Sequence, residues 1–139
     1  MNGVANGLYG GDLPNQINTP WIDYSNQSTI VGWSAFTTRK IRYKVLGKLI
    51  VLSFSIVGTS NSATTSFTMP FNIGTLDGAD ILPTIRVTNN GATLLGNAAS
   101  TAGSNNLVFS FMSAYGTYTA TWTASGTKAI YGQYIFEID

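Results

Sequence analysis

Apolar and polar residues alternate along much of the chain with a period of two, which is the pattern of β-strands. The first clear run covers residues 41–45, where apolar positions alternate with Arg42 and Lys44. Gly47 separates this run from residues 49–57, where a second set of apolar side chains shares one face. That set consists of Ile50, Leu52, Phe54 and Ile56. The two runs predict a β-hairpin whose second strand lies centrally in a sheet.

Residues 58–62 predict the next turn, which begins at Gly58. Several later segments repeat the alternation and are bounded by turn residues. Asn90-Gly91, between residues 85–88 and 92–95, is the favoured pair for a type I′ hairpin turn. No helical pattern with capping residues stands out. The sequence therefore predicts an all-β domain over residues 23–139, an antiparallel β-sandwich with a jelly roll as its leading topology. The remaining predicted strands cover residues 65–69, 107–112, 118–123 and 130–138.

Residues 1–22 show no sustained period and are rich in glycine and proline. They predict an extended N-terminal arm, which either frays or lies against a neighbouring subunit. The first residues have neither a basic segment nor an apolar segment of the kind found in export signals, and no run of about 18 apolar residues follows. We therefore expect synthesis and folding in a cytoplasm, without export.

Charged residues make up only 9% of the chain, whereas an average soluble domain contains about 25%. The surface must consist largely of Ser, Thr, Asn, Gly and apolar side chains, and such a surface tends to associate. The formal net charge of +1 gives no long-range attraction to nucleic acid or to an acidic membrane. Composition thus favours a subunit of an assembly, with no nucleic-acid partner and no membrane insertion.

Motifs that would carry catalysis are weak. The chain has no histidine and no cysteine, so the commonest general base and metal ligand are missing. Residues 32–36 resemble a nucleophile elbow that lacks its second glycine, and Ser125 and Lys128 have Ser-x-x-Lys spacing. The latter pair lies between two predicted strands, where a hairpin turn containing Gly126 is the simpler interpretation. Residues 77–80 are interpreted as a plain turn and not as a calcium site. We expect no enzyme, cofactor or metal site.

Five of the seven basic residues lie within ten positions on the first predicted hairpin. One interpretation is a solvated strand face whose charges block edge-to-edge aggregation, and the other is docking onto an acidic surface. This possible docking patch consists of Arg39, Lys40, Arg42, Lys44 and Lys48.

The tryptophans are candidates for stacking on sugar rings if they are exposed. Aromatic side chains in strands more often belong to a core or an interface, so both interpretations stand. The three residues are Trp21, Trp33 and Trp122.

Three stretches together resemble the small C-terminal β-modules of tailed-bacteriophage virion proteins, including tail appendages and head fibres. They are residues 28–33 with the hairpin over 39–52, residues 59–70, and residues 122–128 with Gly132-Gln133. The resemblance covers about residues 23–137. It implies a homotrimer displayed on the exterior of the particle.

The leading hypothesis is a phage virion structural protein on the capsid surface, a decoration protein or short head fibre. It would form a homo-oligomer, and its N-terminal arm would anchor it to the major capsid protein or another virion protein. The alternative is a receptor-binding module at the tail tip that recognises a host glycan or surface protein. A polysaccharide hydrolase is a third hypothesis, and it requires two carboxylates in one cleft.

Overall fold

The computed structural model describes residues 18–75, 82–113 and 116–139. The regular secondary structure of these residues consists of β-strands alone, and each strand runs antiparallel to its neighbours. Their bounds are β1 Ile22–Asp23, β2 Ile30–Val31, β3 Trp33–Leu46, β4 Leu49–Ser60, β5 Ser66–Thr68, β6 Thr84–Asn89, β7 Ala92–Ala99, β8 Asn106–Met112, β9 Tyr118–Thr119 and β10 Thr127–Glu137.

The strands form one sheet in the order β1-β3-β4-β10-β6-β7-β8-β5-β2, and β9 pairs with β8 beside this path. Only Gly32 separates β2 from β3 in sequence, although they lie near opposite ends of the path. The sheet must therefore curl until its two ends approach each other. The all-β, antiparallel class is confirmed. The strands form one hydrogen-bonded sheet and not two, because all of β6 pairs with β7 and this pairing joins the two halves of the sheet.

The core lies inside this curl. The apolar set predicted on β4 is buried, with Phe54 only 3% exposed. The ring of Phe54 packs edge-on against Phe67 of β5 and Phe109 of β8, with centroids 5.4 and 5.3 Å apart. Since β4 belongs to one half of the sheet and β5 and β8 to the other, these contacts hold the two halves face to face.

Both predicted hairpins are present. The pairing of β3 with β4 ends at Leu46 and Leu49, and Gly47 in the turn between them has a φ of 62°. Asn90 and Gly91, which join β6 to β7, have φ values of 49° and 83°. A type I′ turn requires positive φ at both central residues, so the Asn-Gly pair forms the turn predicted for it.

The first long strand differs from its prediction. β3 already begins at Trp33 and contains two bulges, between Trp33 and Ala35 and between Phe36 and Thr38. Gly58, predicted to begin a turn, lies inside β4 opposite this irregular part. A Cβ atom at Gly58 would overlap the backbone oxygen of Ala35. The turn prediction was wrong because this glycine serves a close backbone approach.

The strand predicted over residues 118–123 is also shorter than expected, since β9 covers only its first two residues. Trp122 is instead buried, and its indole N–H donates to the carbonyl of Phe109 at 2.9 Å. Gly126 has a φ of 76°, as a turn allows. The strands on either side of it pair with other strands and not with each other. The turn is present, but the predicted hairpin is not.

Most of the predicted N-terminal arm, residues 1–17, lies outside the described residues. Residues 18–22 lie along the edge of β3. The N–H of Thr19 donates to the carbonyl of Val45, and the N–H of Val45 donates to Oγ1 of Thr19, both at 3.0 Å. The described end of the arm therefore continues into β1 as an extension of the sheet edge.

Candidate functional site

Basic side chains project from the outer surface of one half of the sheet. In β3, Lys40, Arg42 and Lys44 alternate with Ile41 and Val45, which are buried in the core. Successive side chains of a strand point to opposite faces. The three basic residues therefore share the outer face of β3, as the sequence predicted for this strand.

The strand register adds a fourth basic residue to this face. Lys40 lies opposite Ser55 of β4, Ser55 lies opposite Tyr131 of β10, and Tyr131 lies opposite Arg86 of β6. Strands lie about 4.8 Å apart, so three spacings separate Lys40 from Arg86 by about 14 Å. We call the outer surface of these four strands, with Lys40, Arg42, Lys44 and Arg86, the basic face.

Aromatic rings orient both arginines of the basic face. The guanidinium of Arg42 lies 4.6 Å from the ring centroid of Trp21, and that of Arg86 lies 4.2 Å from the ring centroid of Tyr131. Each cation–π contact at an exposed site contributes about 0.5–1 kcal/mol. The rings also restrict the two side chains, which lowers the entropy that they lose when they bind an anion.

Two carboxylates share the face with the four basic residues. Asp23 lies opposite Arg42, and Glu137 lies opposite Leu49. The N–H and hydroxyl of Ser25 donate to Asp23 at 2.9 and 2.6 Å, and these hydrogen bonds lower the pKa of its carboxyl group. Asp23 thus stays ionised, and four basic residues against two carboxylates leave the face with an excess of positive charge.

The other two members of the predicted patch lie elsewhere. Arg39 belongs by alternation to the opposite side of β3, where its guanidinium lies 5.3 Å from the ring centroid of Phe36 and Nη2 donates to the carbonyl of Ser28 at 3.4 Å. Lys48 lies in the hairpin turn. Sequence reasoning missed Arg86, which joins the face only because β10 lies between β4 and β6.

The three tryptophans do not form a stacking surface. Trp33 and Trp122 are only 6% and 2% exposed, so neither offers a ring to a ligand from solution. Their interpretation as core residues is the one that the structure supports. Trp21 is 41% exposed, with Arg42 over its ring.

Lys128 is a buried cation that sequence reasoning left in a turn. Its Nζ donates to the carbonyl of Ser62 at 2.8 Å and lies 5.4 and 5.3 Å from the ring centroids of Trp33 and Trp122. Burial lowers the pKa of its ammonium group to about 8. These contacts give Lys128 a packing role at the start of β10. Ser125 takes part in none of them, so they give the Ser-x-x-Lys spacing no support.

The outer surface of the other half of the sheet is uncharged. The sequence contains no Asp, Glu, Lys or Arg between Arg86 and Lys128, and β2 and β5 contain none either. We call the outer surface of β2, β5, β7, β8 and β9 the neutral face. The uncharged run is the sequence signal that points to it.

Small and apolar side chains form a row across the neutral face. Ala99 lies opposite Val108, Val108 opposite Ser66, and Ser66 opposite Val31. Val108 and Val31 are 36% and 41% exposed, although both are apolar. Leu95 on β7 is 55% exposed.

A shallow groove of about 400 Å³ runs beside this row. Ser100 is buried at its side, and the Ser100 hydroxyl has no hydrogen-bond partner within the described part of the chain. The groove is lined by Ala99, Ser100, Thr101, Ser104, Asn106 and Val108.

Comparisons with known proteins identify no family for this chain, so its function is inferred from the geometry of the fold. No protein-family model, no characterised protein and no solved structure matches this chain. Over residues 18–75, 82–113 and 116–139, three or more metal-ligating side chains are nowhere grouped together, and no helix has the length and apolarity needed to cross a bilayer. Residues 77–80 lie outside the described ranges.

Proposed function

We propose that the chain is a structural protein of a phage virion surface, a capsid decoration protein or short head fibre. It assembles as a homo-oligomer, a trimer by resemblance, and its N-terminal arm contributes to anchoring. The observation that carries the proposal is the basic face, which presents Lys40, Arg42, Lys44 and Arg86 together on the outer surface of four adjacent strands. The resemblance to phage virion modules supports the virion context.

The basic face fits an acidic protein surface, such as a patch on the major capsid protein or another virion protein. Arginines held against Trp21 and Tyr131 can pair with carboxylates in fixed geometry. Complementary charge at an interface mainly sets partner choice and association rate. Binding through this face should therefore weaken as salt is raised, because salt screens exposed charges.

Charge reversal on the basic face tests this docking. We expect Lys40→Glu to weaken co-sedimentation with capsids that lack the protein by about tenfold or more, because it replaces attraction by repulsion within the face. Lys48→Glu makes the same change of charge in the hairpin turn and serves as the matched control, with little expected effect. Equal weakening by both variants would show that net charge alone matters and would contradict docking through the face.

The location of the chain in an intact particle tests the virion role itself. Electron cryo-microscopy should show it on the capsid lattice. Density at the tail tip alone would overturn the decoration role and support the alternative, a receptor-binding module for a host glycan or protein. Absence of the chain from the particle would contradict both functions.

We further propose that the curled sheet is a β-sandwich of the jelly-roll kind. The support is the packing of Phe54 against Phe67 and Phe109, which sets the two halves of the sheet face to face across one core. An experimental structure in which β4 and β8 lie in two flattened layers that face each other across the core would support this description, and a round barrel without facing layers would contradict it.

A further inference from the structure

We infer that the neutral face is the surface through which copies of this chain associate with one another. The inference rests on the proposed function for the expectation of a homo-oligomer, and it adds the surface that would form the contact. The two faces meet at β6 and β7, where Leu95 lies directly opposite Arg86, and the neutral face extends from there over β8, β5 and β2, away from the basic face.

Charge decides which face can meet a second copy. Contact between identical subunits brings similar surfaces together, and a two-fold contact sets a patch against itself. Such a contact through the basic face would bring Lys40, Arg42, Lys44 and Arg86 close to their own counterparts, and like charges at an interface are unfavourable. The strands of the neutral face carry no charge, so this repulsion does not arise.

The apolar side chains on the neutral face are the second argument. Leu95, Val108, Val31 and Tyr118 are 55%, 36%, 41% and 42% exposed. Interface cores are depleted in charged residues and enriched in apolar and aromatic ones, and the neutral face has both properties. In the row from Ala99 to Val31, Ser66 is only 6% exposed, so Ala99, Val108 and Val31 are the side chains that another sheet surface could contact.

The strands of the neutral face supply part of a subunit contact. β7 and β8 have eight and seven residues, whereas β5 and β2 have only three and two. At about 3.3 Å per residue and about 4.8 Å between strands, the four strands give about 300 Å² in projection. A standard interface buries about 800 Å² of accessible surface on each partner, so the loops beside these strands must contribute the remainder. The groove of about 400 Å³ beside Val108 offers a recess for a protruding apolar side chain of the other copy.

A second copy is also the partner that this chemistry best fits. An acidic partner matches the basic face and gains nothing from an uncharged one. The neutral face of another copy supplies the same lack of charge and the same exposed apolar side chains, so the two surfaces are complementary by composition.

Sedimentation equilibrium on the purified full chain tests the inference. We expect the wild-type chain to associate at micromolar concentration, and Val108→Glu to weaken association by about a hundredfold or more, because it buries a carboxylate at the contact. Ile135→Glu is the matched control. Ile135 is 46% exposed in the half of the sheet that carries the basic face, so its replacement should leave association unchanged.

A second variant guards against misfolding. Val31→Glu changes a different strand of the neutral face, at a position that is 41% exposed, and circular dichroism and thermal unfolding show whether each variant remains folded. If both neutral-face variants fold and still associate like the wild type, the inference fails. It fails as well if the wild-type chain is monomeric at hundreds of micromolar, or if Ile135→Glu alone dissociates the oligomer.

These outcomes are separable from failure of the proposed function. A monomeric wild-type chain that still co-sediments with capsids would defeat the neutral-face inference and leave the docking proposal standing. An oligomer that Val108→Glu dissociates, but that never binds capsids, would confirm the neutral face and defeat the docking proposal.

Discussion

At the scale of single residues, Lys128 shows how burial alone changes the properties of a side chain. Its ammonium lies among Ser62, Trp33 and Trp122, and burial lowers its pKa from 10.5 to about 8. The unfolded chain therefore holds the Lys128 proton more tightly than the folded chain does. Between about pH 8 and about pH 10.5 the unfolded state binds more protons, so the contribution of Lys128 to folding stability rises with pH.

Lys128→Met tests this linkage by removing the titrating group while keeping an unbranched apolar stem. We expect the free energy of unfolding of the wild type, relative to that of the Met variant, to rise by about 2 kcal/mol between about pH 7 and about pH 9.5. Urea titrations at the two pH values measure the difference. Lys48→Met, at an exposed position in a turn, is the control and should show no such gain. Parallel curves for wild type and Lys128→Met would mean that the ammonium is not buried.

The sequence predicts core positions well where alternation and residue type agree. The alternating positions of β4 are buried as predicted, because each is apolar and every second residue faces inward. Lys128 has the same parity as Ile130 and Tyr134, so alternation alone would place it inside. Its charge argued for the outside, and only the tertiary contacts with two indole rings and a carbonyl explain why it lies inside.

At the scale of elements, the contact between β3 and β4 depends on a glycine. The two bulges of β3 push the backbone of Ala35 towards β4, at the place where Gly58 has no side chain. Bulges increase local twist and bend a strand. The long hairpin can therefore curl around the core only while residue 58 stays without a Cβ atom.

Gly58→Ala should consequently destabilise the fold even though it adds a single methyl group. We expect a loss of about 2–3 kcal/mol, because the added Cβ would overlap the Ala35 carbonyl and the backbone must shift. Chemical denaturation measures the loss, and Thr59→Ala, at the exposed neighbouring position, is the control, with a loss below about 1 kcal/mol. Similar losses for both variants would contradict the close approach.

Local elements follow from the sequence to the extent that their signals are local. The Gly47 and Asn90-Gly91 turns are predicted because turn chemistry acts over four residues. The partners of β10 are not predicted, because the sequence of a strand does not specify which distant strands it will pair with. The basic face shows both cases. Its three β3 residues follow from alternation, whereas Arg86 depends on that long-range pairing.

At the scale of the whole molecule, charge is divided between the two halves of the sheet. The half with β3, β4, β10 and β6 carries the basic face, and the half with β7, β8, β5 and β2 carries the neutral face. A net charge of +1 conceals this division. A molecule with two such different sides is suited to hold an acidic surface with one side and its own copies with the other.

The same topology predicts a gradient of local stability across the sheet. β4 is paired along its length with β3 and β10, whereas β1 and β9 are two residues long and lie at the margins. We expect amides of β4 and β10 to exchange only through global unfolding, and those of β1 and β9 to exchange at least about a hundredfold faster. Hydrogen exchange followed by NMR measures both, with β7 expected between them. Uniform protection from β9 to β4 would contradict this arrangement.

The position of β10 also sets the order in which parts of the sheet can form during folding. β10 comes last of the ten strands in the described part of the chain, yet it fills the gap between β4 and β6. Until Thr127 reaches Thr59, β4 presents an apolar strand with an unpaired edge, while β6, β7 and β8 can already form a meander by local pairing. Joining such distant segments is slow, because closing the long intervening loop costs chain entropy before any stabilising contact has formed. The sheet is thus completed at its middle, and a newly made chain is most exposed to pairing with another new chain in the interval before β10 arrives.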